Sequence, residues 1–183
     1  MIRPAAEKDF EPIMEIMLSP AVNKYFVLEK NASLEEKKER WSRMKDNMVV
    51  FEENGKVIAF FCYHDFKGHR RHTLEIGPLG VLPSEFRKGV GTQLFNYLLD
   101  KFKKDKMRIQ CSIVEGNPAI EFYKKLGFTE EWTKKDSVII DGKLKDEIFL
   151  AYFITSLNTW LKRNLKAGKD KTKGQKEKQK DSQ

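Results

Sequence analysis

Hydrophobic and polar positions follow two periods along this chain, one typical of helices and the other typical of strands. The clearest helix is predicted over residues 89–104, where an apolar side chain returns every four residues at Val90, Leu94, Leu98 and Phe102. Two strand-like runs, MVVFEE and KVIAFFCYHDF, flank Asn54-Gly55, a strong signal for a β-hairpin. A further strand is predicted over residues 72–82. It should bulge or bend at Gly77-Pro78, because proline is not expected inside a regular ladder.

The remaining segments complete the order of elements. They are a short strand in MIRPA, a helix capped by Asp9, a helix over 34–46 behind a Ser33/Glu36 capping box, a strand over 107–114, a helix from Asn117-Pro118 to Leu126, and a closing hairpin in SVIIDGKLKDEIFLAYF. This order predicts a mixed α/β fold with an antiparallel part and one strand–helix–strand crossover. We expect one domain over residues 1–154, an amphipathic helix over 155–166 and a basic, disordered tail over 167–183.

Composition sets the broad class. The chain has 183 residues, of which 40% are apolar, enough for one globular core. No apolar run approaches the roughly 20 residues of a membrane span, so we expect a soluble, cytoplasmic protein that binds no membrane. Residues 162–183 hold nine Lys/Arg against three Asp/Glu, and thus six of the eight net positive charges. Nucleic acid would therefore bind only through this tail, although charge runs are usually just solvated.

The chain offers no metal or redox motif. Cys62 and Cys111 each lie inside an apolar run and are expected to be buried strand thiols. The three histidines lack the spacing of metal ligands, so we expect no metal.

The stretch EFRKGVGTQLF, residues 85–95, joins a predicted strand to the clearest helix and places Gly89 and Gly91 at the helix start. The first amide N–H groups of a helix have no partner inside it, and glycine lets an anion approach them closely. Arg87 and Lys88 add positive charge, so the loop suits a phosphate or pyrophosphate. A plain strand–helix turn is the alternative for so short a motif.

Two segments together resemble the GNAT superfamily of N-acetyltransferases. GPLGVLPSEFRKGVGTQLF is similar to that family's pyrophosphate loop, V-x-P followed by Q/R-x-x-G-x-G/A. EGNPAIEFYKKLGFTE is similar to its N-x-x-A-x-x-F-Y-x-x-x-G-F helix. The resemblance runs from IRPA to Tyr152 and implies a mixed, mostly antiparallel sheet of six to seven strands, splayed near the acyl-CoA site, with helices on both faces. One departure is Phe86, which stands where the family has Gln or Arg; Arg87 is displaced by one position.

The resemblance implies acetyl-CoA as cosubstrate and a primary amine as acceptor. It carries acetyl-CoA contacts onto the strand residues Leu79 and Val81, the loop residues Phe86, Arg87, Lys88, Gly89, Val90, Gly91 and Thr92, and Asn117. The Val81 amide is the candidate donor to the oxyanion. For Asn117 the alternative is a helix cap alone, and both roles are compatible.

The catalytic candidates are Tyr123 and Glu75. Tyr123 matches the family's tyrosine, and we expect its phenol to protonate the departing thiolate; the alternative is an aromatic packing anchor. An amine must lose its proton before it attacks, which requires a base or a water chain leading to one. Glu75 on the strand before the loop is the candidate base, His72 and His64 are rivals, and a merely solvated Glu75 is the alternative.

The acceptor is not identified by the sequence. A small-molecule amine, a peptide N-terminus and a protein lysine all stay open, as does a homodimer. The regions that build acceptor pockets in the family offer only scattered aromatics here: Phe26, Trp41, Phe66 and Trp132. Two alternatives to acetyl transfer stay open. One is a catalytically weak acyl-CoA sensor, and the other is a ribosome- or RNA-associated protein that acts through its tail.

Overall fold

The computed structural model describes residues 1–25 and 32–163. Seven strands are present in this part: β1 (Ile2–Pro4), β2 (Met48–Glu53), β3 (Lys56–Asp65), β4 (Thr73–Val81), β5 (Arg108–Val114), β6 (Thr129–Ile140) and β7 (Lys143–Phe153). The helices are α1 (Phe10–Leu18), α2 (Pro20–Asn23), α3 (Leu34–Met44), α4 (Val90–Phe102), α5 (Ala119–Lys125) and α6, which begins at residue 157. Phe26 and the tail from residue 164 onwards lie outside the described residues.

The strands form one seven-stranded sheet in the order β1-β2-β3-β4-β5-β7-β6. Every neighbouring pair is antiparallel except β4 and β5, which are parallel and joined by the crossover helix α4. The predicted mixed, mostly antiparallel sheet is therefore confirmed. Among the described residues no helix is long and apolar enough to cross a membrane.

Local sequence signals explain most of the element boundaries. The β2–β3 hairpin turns at Asn54 and Gly55, both at positive φ, as that pair predicts. The Ser33 hydroxyl accepts from the Glu36 amide at 3.1 Å, and the Glu36 carboxylate accepts from the Ser33 amide at 2.6 Å. The α3 capping box is thereby confirmed. The α5 helix ends before Gly127, at φ 96°, as predicted.

The prediction that the Asp9 side chain caps α1 is wrong. Asp9 does precede α1, but its carboxylate makes no hydrogen bond to that helix. It accepts two bonds from the Arg3 guanidinium, at 2.6 and 2.8 Å, and one from the Ala6 amide at 2.8 Å. Charge-assisted, bidentate bonds are stronger than a neutral cap, and these partners decide the orientation of the carboxylate. The Arg3 guanidinium accordingly lowers the pKa of Asp9.

A β-bulge in β4 changes which face its residues occupy. Phe61 pairs with Leu79, yet Tyr63 pairs with Ile76, so β4 carries one extra residue around Gly77-Pro78. The predicted irregularity is confirmed. The side chains of β3 alternate regularly between the two faces of the sheet, so Phe60 and His64 lie on the same face. Their partners on β4, Gly80 and Glu75, therefore lie on that face as well. Without the extra residue, Glu75 would lie on the opposite face.

Helices cover both faces of the sheet, but not over its whole width. The face of Gly80 lies against α1, since a Cβ at Gly80 would come within 2.9 Å of Ile16. The opposite face meets α4, where Tyr63 and Phe102 place their rings 5.1 Å apart. On the α1 side, the region of the sheet formed by β5, β7 and β6 is left uncovered, and the Trp132 side chain there is 51% exposed. We call this part the open face.

The parallel strands β4 and β5 separate after three residue pairs. Thr73, Leu74 and Glu75 pair with Arg108, Ile109 and Gln110, and no later residue of β4 pairs with β5. Beyond this point β4 bonds only to β3, whereas β5 continues along β7 as far as Val114. The result is a wedge-shaped gap in the sheet with free backbone groups along the β4 edge, which is the splay that the resemblance implied.

Candidate active site

The loop after β4 presents a run of free amides. Backbone φ is positive at Arg87 (61°) and at Gly89 (80°), which lets the chain fold back before α4 begins at Val90. The first helical bond is Gln93 N–H to the Gly89 carbonyl, at 3.0 Å. The six amides of residues 87–92 have no acceptor among the described residues. Unpaired donors at the start of a 13-residue helix are suited to an anion, and we call residues 87–92 the cradle.

The two loop glycines have different roles. Around Gly89 nothing lies within 4 Å of a would-be Cβ, and its positive φ is the feature that favours glycine. A Cβ at Gly91 would meet the Phe122 ring at 3.0 Å. The missing Cβ at Gly91 therefore allows α4 to pack closely against Phe122 of α5, in addition to any approach of a ligand to its amide. The sequence could not show this second role, because Phe122 is remote along the chain.

The positive charge of the loop is reduced by an ion pair. The Lys88 ammonium bonds to the Glu85 carboxylate at 3.0 Å, and this lysine lowers the pKa of Glu85. Phe86 is 44% exposed, Arg87 and Thr92 are exposed, and the Val90 side chain is buried in the core. Among the positions assigned to acetyl-CoA, Val90 can therefore contribute only its amide.

The edge of β4 along the gap offers further donors. Leu82 donates its N–H to the Ile58 carbonyl at 2.8 Å, so it points towards β3. Because successive amides of a strand point in opposite directions, the Val81 and Leu79 amides point towards the gap. The candidate oxyanion donor is thus placed where β4 has no strand partner. Pantetheine pairs with a backbone edge of this kind in the family that the chain resembles.

Asn117 lies just before α5, the helix whose Phe122 packs against Gly91 of α4. Its Oδ1 accepts from the Ala119 amide at 2.9 Å, and the helix begins at Ala119 rather than at Pro118. The capping role is confirmed with this shift of one residue. The carboxamide nitrogen of Asn117 makes no hydrogen bond in the described ranges, so a ligand contact is compatible with the cap.

Tyr123 is buried, with 5% of its surface exposed. Its ring packs edge-on against Phe122 and Phe128, at 5.2 and 5.0 Å between centroids. No residue of the described segments hydrogen-bonds to its hydroxyl. Burial, together with the nearby Cys111 thiol group, raises the pKa of the phenol well above its ordinary value. Tyr123 therefore keeps its proton at neutral pH and packs among aromatic rings, and its role as an acid stays a prediction.

Glu75 belongs to a chain of hydrogen bonds across three strands. The Gln110 amide donates to its carboxylate at 2.6 Å, and Arg108 donates to the Gln110 carbonyl oxygen at 3.1 Å. Arg108 also forms two bonds to Glu131, at 2.7 and 3.0 Å. Glu75 is therefore bonded to a neighbouring side chain, and its role as the base stays a prediction. Gln110 and Arg108 were missed by sequence reasoning, because no local signal encodes the register of the parallel pair.

The rival bases are placed differently. His64 is the cross-strand partner of Glu75 on β3, is exposed, and packs its ring 4.5 Å from Phe66. His72 lies before β4, at the end of the sheet where β4 and β5 are still paired, and its ring faces Trp160 at 5.9 Å. Of the two histidines, the structure brings only His64 beside Glu75.

The two free thiols are buried, and a cavity lies away from the gap. Burial raises the pKa of Cys62 to about 11 and, with the Glu75 charge nearby, that of Cys111 to about 12, so both stay protonated and weakly nucleophilic. A cavity of about 280 Å³ lies near Trp160, where the buried Lys106 bonds to Asp65 and to the Arg71 carbonyl. Among the described residues no cluster of His, Cys, Asp and Glu is arranged to hold a metal ion.

Comparison with known proteins agrees with this geometry. An uncharacterized N-acetyltransferase from Methanocaldococcus jannaschii is 35% identical over 109 residues, covering 52% of this chain and 48% of that protein. The chain thus spans about half the length of this relative. A Streptococcus mutans protein of known structure matches with a TM-score of 0.74 and 22% identity, over 85% of this chain and 99% of its own.

A second solved structure has a bound cosubstrate. It is a GNAT superfamily phosphinothricin acetyltransferase from Sinorhizobium meliloti in complex with acetyl-CoA, with a TM-score of 0.70 and 23% identity over 84% of this chain and 87% of its own. At such identities the structures show a shared fold. The model of the Acetyltransferase (GNAT) family matches residues 11–128, more than half of the chain. The chain therefore belongs to the GNAT acetyltransferase family.

Proposed function

We propose that the protein is an N-acetyltransferase that moves an acetyl group from acetyl-CoA to a primary amine. The observation that carries the proposal is the run of acceptor-free amides at residues 87–92, beside the β4 edge left open by the splay. The cradle suits a pyrophosphate, and the β4 edge suits the amide-containing pantetheine arm. Acetyl-CoA would supply the acetyl thioester.

The residues beside the gap have complementary tasks. Glu75 takes the proton that the acceptor ammonium must lose, directly or through a water, and Gln110 holds that carboxylate in place. The neutral amine forms the new bond to the carbonyl carbon, and the Val81 amide donates to the carbonyl oxygen as negative charge develops there. When the carbon–sulfur bond breaks, Tyr123 donates its proton to the thiolate.

This order of events is direct transfer between two bound substrates. An acyl-enzyme route would need a nucleophilic side chain near the gap, and the Cys111 thiol is held protonated by burial. The raised pKa of Tyr123 keeps that phenol in the form in which it can donate. A sensor without turnover would need the same cradle but would have no use for an acid and a base on either side of the gap.

A matched pair of glycine variants tests the binding site. Gly89 and Gly55 have almost the same φ, 80° and 78°, and both have open space around a would-be Cβ. Gly89→Ala and Gly55→Ala should therefore lose similar stability, about 1–2 kcal/mol. In calorimetry only Gly89→Ala should weaken acetyl-CoA binding, by tenfold or more, because its methyl group would occupy space beside the free amides of the cradle.

Turnover is tested separately, by thiol release from acetyl-CoA in the presence of a panel of amines. Equal acetyl-CoA affinities for the two alanine variants would contradict the cradle. Tight binding without turnover for any amine would leave a sensor in place of the enzyme.

A further inference from the structure

The open face carries an aromatic platform beside the gap. Ser112 of β5, Phe149 of β7 and Trp132 of β6 are neighbours across three strands. The Phe149 and Trp132 rings are stacked, with centroids 3.8 Å apart and planes inclined by 10°. Ser112 is exposed and small, so one side of the platform is open towards the position where β5 leaves β4.

Two carboxylates lie at the ends of this platform. Glu75 is bonded to Gln110, and Glu147 accepts from Ser137 at 2.8 Å and from Ser112 at 3.4 Å. Their partners Gln110 and Ser112 are two residues, or ~7 Å, apart on β5, and Glu75 and Glu147 lie on the strands on either side of β5. The two carboxylates are therefore offset both along β5 and across it. In ranges 1–25 and 32–163 neither carboxylate forms an ion pair, although Lys134 is opposite Glu147 in the register. Arg108 reaches Glu75 only through Gln110, so in the described part of the chain neither carboxylate is bonded directly to a cation.

We propose that this face binds an acceptor with a second positive charge, namely a small aliphatic diamine. The proposal rests on the acetyltransferase function and names its substrate class. The reacting amine lies at Glu75, and the distal ammonium is held by Glu147. The methylene chain between them crosses the Phe149 ring, which Trp132 supports from behind. An offset of ~7 Å along β5 alone requires about four or more methylene groups with carbon–carbon bonds of ~1.5 Å.

Charge and apolar area both favour this occupant. An ammonium group is attracted by a carboxylate and by the face of an aromatic ring, whereas a single-charged amine uses only one end of the surface. Of the other aromatic candidates for the acceptor pocket, Trp41 is buried at 4% exposure and Phe66 is covered by the Arg70 guanidinium at 3.7 Å. Trp132 is the one that remains accessible on the described part of the chain.

The test compares cadaverine, a five-carbon diamine, with n-pentylamine of the same length. Binding to the full chain is measured by calorimetry with CoA present, and turnover by thiol release from acetyl-CoA. Cadaverine should bind about tenfold more tightly than pentylamine and show a higher kcat/KM by a similar factor. Glu147→Gln keeps the serine bonds and removes the charge, so it should abolish the preference for cadaverine and leave pentylamine unchanged.

Glu130→Gln is the matched control. Glu130 is on the same hairpin but pairs with the buried Leu150, and hence points to the other face. It should keep the full preference for cadaverine. Equal binding of the two amines to the wild-type chain, or a preference that survives Glu147→Gln, would overturn the proposal. A lysine tripeptide that binds and reacts better than every diamine would also overturn it.

Calorimetry also separates this proposal from the one on which it rests. If acetyl-CoA neither binds nor turns over, the acetyltransferase function fails. A loss of the cadaverine preference with acetyl transfer to pentylamine intact removes only the diamine site.

Discussion

One face of the sheet is covered over one half and open over the other. Over β2, β3 and β4 it lies under α1, and residues such as Phe60, Val50 and Ile16 are fully buried. Over β5, β7 and β6 the same face presents Gln110, Phe149 and Trp132 to solvent or to a ligand. The bulge at Gly77-Pro78 places Glu75 on this face, at the boundary between the halves. Apolar side chains in the covered half stabilise the fold, whereas polar and aromatic groups in the open half are available for chemistry.

The largest effect should come from the covered half. Phe60→Ala removes a fully buried ring and leaves a cavity, which should lower the free energy of unfolding by about 3–5 kcal/mol. Trp132→Ala removes a larger ring from the open face and should cost no more than ~1 kcal/mol. Chemical denaturation of both variants measures the two effects. Similar losses would show that the open face is as important for stability as the covered one.

Tyr123 tests whether burial and chemistry are separable on the other side of the sheet. Tyr123→Phe keeps the ring contacts with Phe122 and Phe128 and removes the proton donor. Single-turnover acetyl transfer should slow by roughly 10²–10⁴, with little change in stability or in acetyl-CoA affinity. An unchanged single-turnover rate would leave Tyr123 as a packing residue only.

The Arg3–Asp9 pair should make the covered half sensitive to acid. The pKa of Asp9 is lowered in the folded state, so its contribution is present above the pKa of the unfolded chain and is lost as pH falls through the folded value. Asp9→Asn should cost about 1–3 kcal/mol at pH 7. The difference from wild type should shrink below about pH 4, as the wild-type carboxylate becomes protonated. Unfolding curves of wild type and Asp9→Asn across this pH range measure the difference in stability. A difference that does not change with pH would contradict a stabilising, ionised Asp9.

The smallest effect is expected at Gln110, whose proposed role is to hold the Glu75 carboxylate. Gln110→Met keeps the length of the side chain and removes its bonds to Glu75 and Arg108. We expect kcat/KM to fall by about tenfold while the melting temperature stays within a few degrees. A loss as large as that of Glu75→Gln would mean that Gln110 contacts the substrate itself. An unchanged kcat/KM would remove it from the site.

Much of this architecture was predictable because its signals are local. The Asn54-Gly55 turn, the Ser33 capping box, the bulge at Gly77-Pro78 and the glycine loop each depend on a few adjacent residues. The bonds of Glu75 depend instead on how β4 and β5 align, which is decided by packing of the whole crossover. Likewise, the contact between Gly91 and Phe122 joins two helices that are remote in sequence. The first strand of the closing hairpin already begins at Thr129, because its pairing with β7 continues through two further register shifts.

The extra residue of β4 also makes this region intolerant of changes in chain length. Deletion of Gly77 would restore regular alternation, and the carboxylate of Glu75 would turn from the open face towards the core beneath α4. Pro78 has no N–H to offer a ladder, so it disfavours the regular pairing that such a deletion would require. Substitutions around the bulge can be absorbed one at a time. A loss or gain of one residue, by contrast, would turn Glu75 towards the core and the buried Leu74 and Ile76 towards the other face.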